Sequence, residues 1–210
     1  MPFRVALTFD AEHPDRPHRA RVSEAILDVL AERGVAATWF LQGRWVQAHP
    51  ETARRVADEG HLVGNHSFYH ARLPLLTDDG IATDVKDAER AIREIAGVDP
   101  RPWFRCPFGA GSGDDRVLGI LEELGYRDID QDVVLEDWEP ARTGAAILAD
   151  ALRETPAVGD PAVVLFHAWP TGTLDALPEL IDGLRSRGAR FVRIDELERY
   201  RTMAPQATSR

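Results

Sequence analysis

The stretch Val5–Asp15, VALTFDAEHPD, carries an apolar run into Thr8-Phe9-Asp10 and then offers Glu12 and His13. Phe3–Phe9 reads as a strand, so a carboxylate stands at a strand end with a second carboxylate and an imidazole just beyond it. The segments downstream repeat this strand-then-helix pattern. Ala20–Glu32 has apolar residues at helical spacing and stops at Gly34. Ala36–Leu41 reads as the next strand, and Glu51–Glu59 as a helix closed by Gly60. Leu62–Asn65 is a short strand, and Asp78–Ile95 a long helix with Thr77 as cap and Gly97 beyond its end. Trp103–Arg105, Tyr126–Asp132, Ala162–His167 and Arg190–Ile194 read as four more strands. Helices over Asp114–Leu124, Gly144–Arg153 and Asp175–Arg187 lie between them. Seven strands, each mostly followed by a helix, predict an α/β fold with a parallel sheet and helices outside it. A closed or nearly closed β/α barrel and an open doubly wound sheet both satisfy the pattern. No glycine-rich phosphate loop opens the first helix, which weakens the dinucleotide-binding version.

Length and composition narrow the class. At 210 residues and 44% apolar content the chain suits one globular domain. We read residues 1–202 as that domain and the polar 203–210 as a flexible tail. The net charge is −10 and Lys86 is the only lysine, a balance that argues against nucleic acid as a partner. Cys106 stands alone, so no intramolecular disulfide forms. No run is long enough to span a bilayer, so no membrane insertion is expected. The N-terminus shows no basic region followed by an apolar segment; with Met1 as native start, the expected location is cytoplasmic. Nothing in the pattern assigns an oligomeric state.

In β/α barrels the reacting groups come from the C-terminal ends of the strands. Asp10, His66, Arg105, Asp132 and His167 all fall at or just past predicted strand ends. GNHSFYH sets His66 and His70 four residues apart, a spacing that puts two imidazoles on one face of a helical turn and recurs in metal sites. FRCPFG places Arg105 at a strand end before a Pro-aromatic-Gly turn, where a guanidinium orients a carboxylate bidentately or closes a structural ion pair. VVLFHAW delivers His167 at the end of a buried strand.

Together these stretches resemble the polysaccharide deacetylases of the NodB-homology family, carbohydrate esterase family 4, from Leu7 to Leu197 with the motifs in family order. Thr8-Phe9-Asp10-Ala11 is similar to the family's Thr-Phe-Asp-Asp, and His66-Ser67-Phe68-Tyr69-His70 matches its His-Ser/Thr-x-x-His. Arg105-Cys106-Pro107-Phe108-Gly109 follows Arg-x-Pro-Tyr-Gly with Phe for Tyr, and Leu165-Phe166-His167 follows Leu-x-His. The resemblance implies a distorted (β/α)7 barrel. It also implies a divalent metal, usually zinc with cobalt or nickel as alternatives, held by one carboxylate and two histidines. Asp10 is then the general base, His66 and His70 are metal ligands, and His167 is the acid that protonates the departing amine. The Phe108 backbone N–H joins in stabilising the oxyanion, with Leu165 and Trp138 at the acyl pocket. Trp103 and Trp169 flank the site in sequence and offer faces to a sugar ring or to the core.

Two positions depart from the family pattern. Ala11 stands where the usual metal-binding Asp would be, and a methyl group cannot ligate. Residues two apart on a strand point the same way, so Glu12 is expected to reach the metal beside Asp10, with His13 the next candidate. Val134 stands where the fourth motif normally has the Asp that braces the motif-three Arg; Asp132, on the same strand face, is expected to brace Arg105 instead. The activity implied is hydrolysis of an N-acetyl or similar N-acyl group on a saccharide or small sugar-containing metabolite by metal-activated water. In the cytoplasm the substrate would be a nucleotide sugar, a glycosylated intermediate or a lipid-linked sugar. A metal-independent amide or imide hydrolase, or an acid–base epimerase, is the alternative on the same fold. A sugar-binding relic is the non-enzymatic reading.

Overall fold

A strand buried on both faces must be apolar toward the helices and selective in what it turns inward. β1 (Phe3–Ala11) shows both demands. Val5, Leu7, Phe9 and Ala11 pack into the helix-facing core, whereas Ala6 belongs to an inner cluster with Phe40, Trp103, Ile129 and Val163. The period of two that sends Ala6 inward sends Thr8, Asp10 and Glu12 the same way. Ala11 therefore lies in the outer core. The computed structural model describes residues 2–15 and 21–201.

β1 is the centre of the sheet. Val5–Asp10 pair with β7 (Ala162–His167), while the opposite edge is shared by β8 (Ala189–Phe191) along Phe3–Val5 and by β2 (Thr38–Leu41) along Thr8–Ala11. β3 (Leu62–Asn65), β4 (Trp103–Phe104) and β5 (Arg127–Asp128) continue from β2, and β6 (Val133–Val134) adds to β7, all parallel. The order is β5-β4-β3-β2-β1-β7-β6, with β8 on β1. The strands at the two ends, β5 and β6, are consecutive in the chain. Residues 129–132 carry the chain across that seam: Ile129 N–H donates to Phe104 C=O and Asp132 N–H to Val163 C=O, each at 2.8 Å. The seam is bridged covalently rather than by a ladder, which makes this a distorted (β/α)7 barrel.

The register fixes the depth of the site. Asp10 lies opposite His167, and Ala11, Leu41, Asn65 and Phe104 form one row across β1–β4. Asp10, Glu12, His66, Arg105 and His167 stand at or just beyond this level and open onto one mouth. The inner cluster plugs the barrel beneath them. Outside run α1 (Val22–Glu32), α2 (Gly43–Ala48), α3 (Pro50–Asp58), α4 (Asp78–Ala96), α5 (Asp115–Glu123), α6 (Gly144–Val158) and α7 (Thr171–Ser186), of which α1, α4 and α7 cover the sheet with Ile26, Leu27, Ile92, Leu177 and Leu180. Phe9 stacks between Trp39 and Phe166, with centroids 5.0 and 5.6 Å away. Emptying that position to alanine would cost about 3–5 kcal/mol.

Several boundaries differ from the sequence reading for local reasons. β1 runs past Phe9 to Ala11 because β2 pairs with it to that point. A short helix at Gly43–Ala48 precedes the helix at Pro50–Asp58; Gly43 is required there, since a Cβ would meet the Phe68 ring at 2.3 Å. The single strand expected over Tyr126–Asp132 is replaced by β5 and β6, because the chain leaves β4 for β7 in between. The helix that begins at Gly144 continues through Pro156 to Val158, and α7 starts at Thr171. Thr77 caps α4, its hydroxyl accepting from Gly80 N–H at 3.1 Å, and Gly97 closes it with φ +73°. The start of the first helix at Ala20 and the tail 203–210 lie outside the described residues. Among the described residues, no helix is long and apolar enough to cross a membrane.

Candidate active site

Arg105 follows β4 and is held through Nη1 and Nε, while its buried Nη2 has no hydrogen-bond partner among the described residues. Nη1 donates to Asp10 Oδ1 at 3.0 Å and to Thr8 Oγ1 at 2.8 Å, and Nε donates to Ile129 C=O at 3.2 Å. The guanidinium rests over Phe40, 4.2 Å from the ring centroid. Thr8 completes the brace by donating to Val164 C=O at 2.9 Å. A buried ion pair of this kind is costly to desolvate and orients its carboxylate firmly once formed. Asp10 is thus locked by one oxygen while Oδ2 stands 3.6 Å from His66 Nε2.

Glu12, beyond the end of β1, meets three imidazoles. Oε1 pairs with His13 Nε2 at 3.0 Å; Oε2 lies 3.3 Å from His66 Nε2 and in close contact with His70 Nε2. Burial opposes the Glu12 charge, but its contacts with His13, His66 and His70 overcome it and hold the carboxyl well below its ordinary range. His66 and His70 do not share a helical turn. Ser67 and His70 adopt left-handed φ values of 60° and 59°, so the backbone curls the second ring back onto the first. Side chains hold that curl: Asn65 Oδ1 accepts from Ser67 N–H at 2.8 Å, Ser67 Oγ from His70 N–H at 3.0 Å, and the Asp84 carboxylate from Phe68 and Tyr69 N–H.

The donor set fits a divalent cation. His66 Nδ1–H donates to Arg105 C=O at 2.9 Å, which leaves the neutral ring's lone pair on Nε2. That nitrogen is 3.1 Å from His70 Nε2. Ligand atoms of Glu12, His66 and His70, all buried, lie within 4.8 Å of one another. Two imidazole nitrogens and a carboxylate oxygen crowded this closely need a shared positive charge between them. For His66, burial disfavours protonation, yet Asp10 and Glu12 raise its pKa overall; for His70, burial dominates and pushes it down to about 4.

The opposite wall is built differently. Asp137 binds His167 twice, accepting from its backbone N–H and from Nδ1–H, each at 2.7 Å. Thr173 Oγ1 donates to the same carboxylate. Burial would lower the His167 pKa; the hydrogen bond and charge of Asp137, with Glu12 and Asp10 behind, push it up to about 9. Nε2 faces the mouth, 4.0 Å from Glu12 Oε1. Sequence reasoning passed over Asp137; its place directly before Trp138 is the one signal the sequence carries.

A cavity of about 440 Å³ opens over these groups, lined also by Phe108, Trp138, Leu165 and Arg72. Trp138 stands edge-on to His167 with centroids 5.1 Å apart, and Phe108 edge-on to His70 at 4.3 Å. Phe108 takes φ +58° inside a tight 3₁₀ turn, which leaves its ring half in solvent. Two expected residues are elsewhere. Asp132 does not brace Arg105: it precedes β6 at the level of Val163, below the mouth, where its carboxylate accepts from Val163 N–H at 2.7 Å and pairs with Arg199 at 2.7 Å. The break between β5 and β6 is what drops it there. Trp169 sits behind His167, ring centroids 6.2 Å apart, and does not line the cavity, because the chain turns there into α7. Trp103 belongs to the inner core.

Fold and site define a β/α barrel with a carboxylate–histidine centre at the C-terminal ends of its strands. Comparison with known proteins agrees. The family model described as polysaccharide deacetylase matches residues 2–129. The peptidoglycan-N-acetylmuramic acid deacetylase PdaA of Bacillus subtilis is 31% identical, covering 92% of this chain and 70% of that protein. A peptidoglycan-N-acetylglucosamine deacetylase of Bacillus cereus is 30% identical, covering 92% and 67%. Among solved structures, a carbohydrate esterase family 4 pseudoenzyme from Bacillus anthracis superposes with a TM-score of 0.82 at 28% identity, over 93% of this chain and 65% of that one. The chain belongs to the polysaccharide deacetylase family, carbohydrate esterase family 4.

Proposed function

We propose that this chain is a metal-dependent deacetylase that removes an N-acetyl or closely similar N-acyl group from a saccharide or a sugar-containing metabolite. The observation that carries the reading is the convergence of Glu12, His66 and His70 beside Asp10 and opposite His167. Glu12, His66 and His70 would hold the cation, with zinc the first choice and cobalt or nickel as alternatives. A divalent cation held there supplies Lewis acidity, polarising the acyl carbonyl and making water easier to deprotonate.

The chain's own groups do the rest. Asp10, held by Arg105, takes the proton from the attacking water. Its fixed carboxylate needs no reorganisation as the proton arrives. The Phe108 backbone N–H stabilises the oxygen on which negative charge grows. His167, kept protonated by Asp137, delivers its Nε2 proton to the nitrogen as the C–N bond breaks, so acetate and a free amine leave. Leu165 and Trp138 wall the acyl side and exclude water. The methyl of Ala11 costs the site nothing, since Glu12 is the residue on the inward face.

Likeness to a pseudoenzyme favours one competing reading, a binding-only relic. Acetate release from N-acetylated sugars separates the two. Protein stripped with chelator is expected to be inactive, and one equivalent of zinc or cobalt to restore turnover. Tight sugar binding with no turnover at saturating metal would overturn the deacetylase reading. Full activity after chelation would overturn the metal.

A further inference from the structure

Among the described residues, the mouth carries one arginine that the chemistry above does not use. Arg72 lines the same cavity as Asp10, Glu12 and His167, is exposed, and pairs with no carboxylate among the described residues. Its guanidinium lies over the Phe108 ring instead, 4.4 Å from the centroid, and that ring in turn meets His70 at 4.3 Å. The charge is therefore two ring contacts from a candidate metal ligand, a span that one sugar ring and its substituents bridge.

The backbone beneath Arg72 is anchored on both sides. Asp84 accepts from Phe68 and Tyr69 N–H before it. Arg116 donates to Pro74 C=O at 3.0 Å and to Leu76 C=O at 3.2 Å after it. An arginine fixed at a pocket rim, in a chain of net charge −10, with no acid of its own, presents a planar fork suited to a carboxylate or phosphate. Arg105, also at the site, is buried and already paired with Asp10 through Nη1, whereas Arg72 is exposed at the rim.

We propose that Arg72 is a specificity-determining residue: it forms an anion subsite that selects substrates whose N-acylated sugar carries a negatively charged substituent near the acyl group. This rests on the deacetylase reading. It bears on a choice that the relatives leave open, since one is named for N-acetylmuramic acid, a sugar with a carboxylate, and another for the neutral N-acetylglucosamine.

The test uses the full zinc-loaded chain and three probes: N-acetylmuramic acid, N-acetylglucosamine 1-phosphate and N-acetylglucosamine. Wild type is expected to process at least one charged sugar with kcat/KM at least about tenfold above the neutral one. Which charged probe gains tells a lactyl carboxylate from an anomeric phosphate. Arg72→Gln should erase that preference through KM with kcat held and leave the neutral sugar unchanged, and Arg72→Lys, which keeps the charge but not the fork, should restore it only in part. Equal kcat/KM for charged and neutral sugars in wild type would overturn the subsite. So would an Arg72→Gln loss that falls equally on the neutral sugar through kcat. If no probe releases acetate, the deacetylase reading fails separately, and calorimetric binding of the same sugars decides the subsite. Tighter binding of a charged sugar that Arg72→Gln abolishes supports it, and binding indifferent to Arg72→Gln overturns it.

Discussion

The two walls of the mouth bury imidazoles at the same depth and treat them in opposite ways. On β7, His167 shares Asp137 with the Thr173 hydroxyl but, among the described residues, with no other imidazole, and is pushed up to about 9. On the β3 side, His66 and His70 share Glu12 with His13, and His70 is driven down to about 4. An imidazole whose carboxylate serves no other imidazole keeps a proton to give. Imidazoles crowded about one carboxylate turn lone pairs toward a common point, where a cation is a better guest than several protons. One residue type is thus kept protonated on one wall, where the Asp137 bond outweighs burial, and on the other burial keeps His70 neutral while Asp10 and Glu12 raise His66.

The contrast can be broken from either wall. The largest effect is expected from His70→Ala, which should abolish stoichiometric metal and lower acetate release by about three orders of magnitude or more, read by elemental analysis and initial rates. Retained metal with retained rate would erase the ligand wall. Asp137→Asn comes next, with kcat/KM expected to fall about a hundredfold. The acid must be protonated, so activity is present below the His167 pKa and lost as pH rises through it. Removing the Asp137 charge lowers that pKa and should move the alkaline limb to lower pH, while metal content stays at one equivalent. His13→Ala frees Glu12 Oε1 and should weaken metal affinity about tenfold to a hundredfold in a chelator competition, with the alkaline limb unmoved. The smallest effect belongs to Asp132→Ala. Its pair with Arg199 is partly solvent-exposed, but its carboxylate also accepts from the buried Val163 N–H, so a loss of about 1–3 kcal/mol in denaturant unfolding is expected, with turnover unchanged. A large drop in turnover would return Asp132 to the Arg105 brace.

The same two walls show what was legible in the sequence. Alternation along β1 sets Glu12 on the face of Asp10, and the strand-end rule brings Asp10, His66, Arg105 and His167 to one level; both properties are local and periodic. Asp132 and Asp137 depend instead on where the chain breaks between β5 and β6. Strands of two residues show no period, and the break is dictated by the seam of the barrel, a property of the closed sheet rather than of any segment. The approach of His66 and His70 was expected from a helical turn. It is achieved by left-handed Ser67 and His70, a conformation held by Asn65, Ser67 and Asp84 and invisible in side-chain spacing. The Gly43–Ala48 helix is too short to announce itself, and its glycine answers to Phe68 from the next loop.

The central claim is a division of labour between two acids two residues apart: Glu12 holds the cation and Asp10 moves the proton. Metal stoichiometry of purified Asp10→Asn and Glu12→Gln, measured side by side after zinc reconstitution, tests it most directly. The account predicts one zinc per chain with no turnover for Asp10→Asn, and little or no zinc for Glu12→Gln. The reverse pattern, zinc kept without the Glu12 carboxylate and lost without that of Asp10, would contradict it.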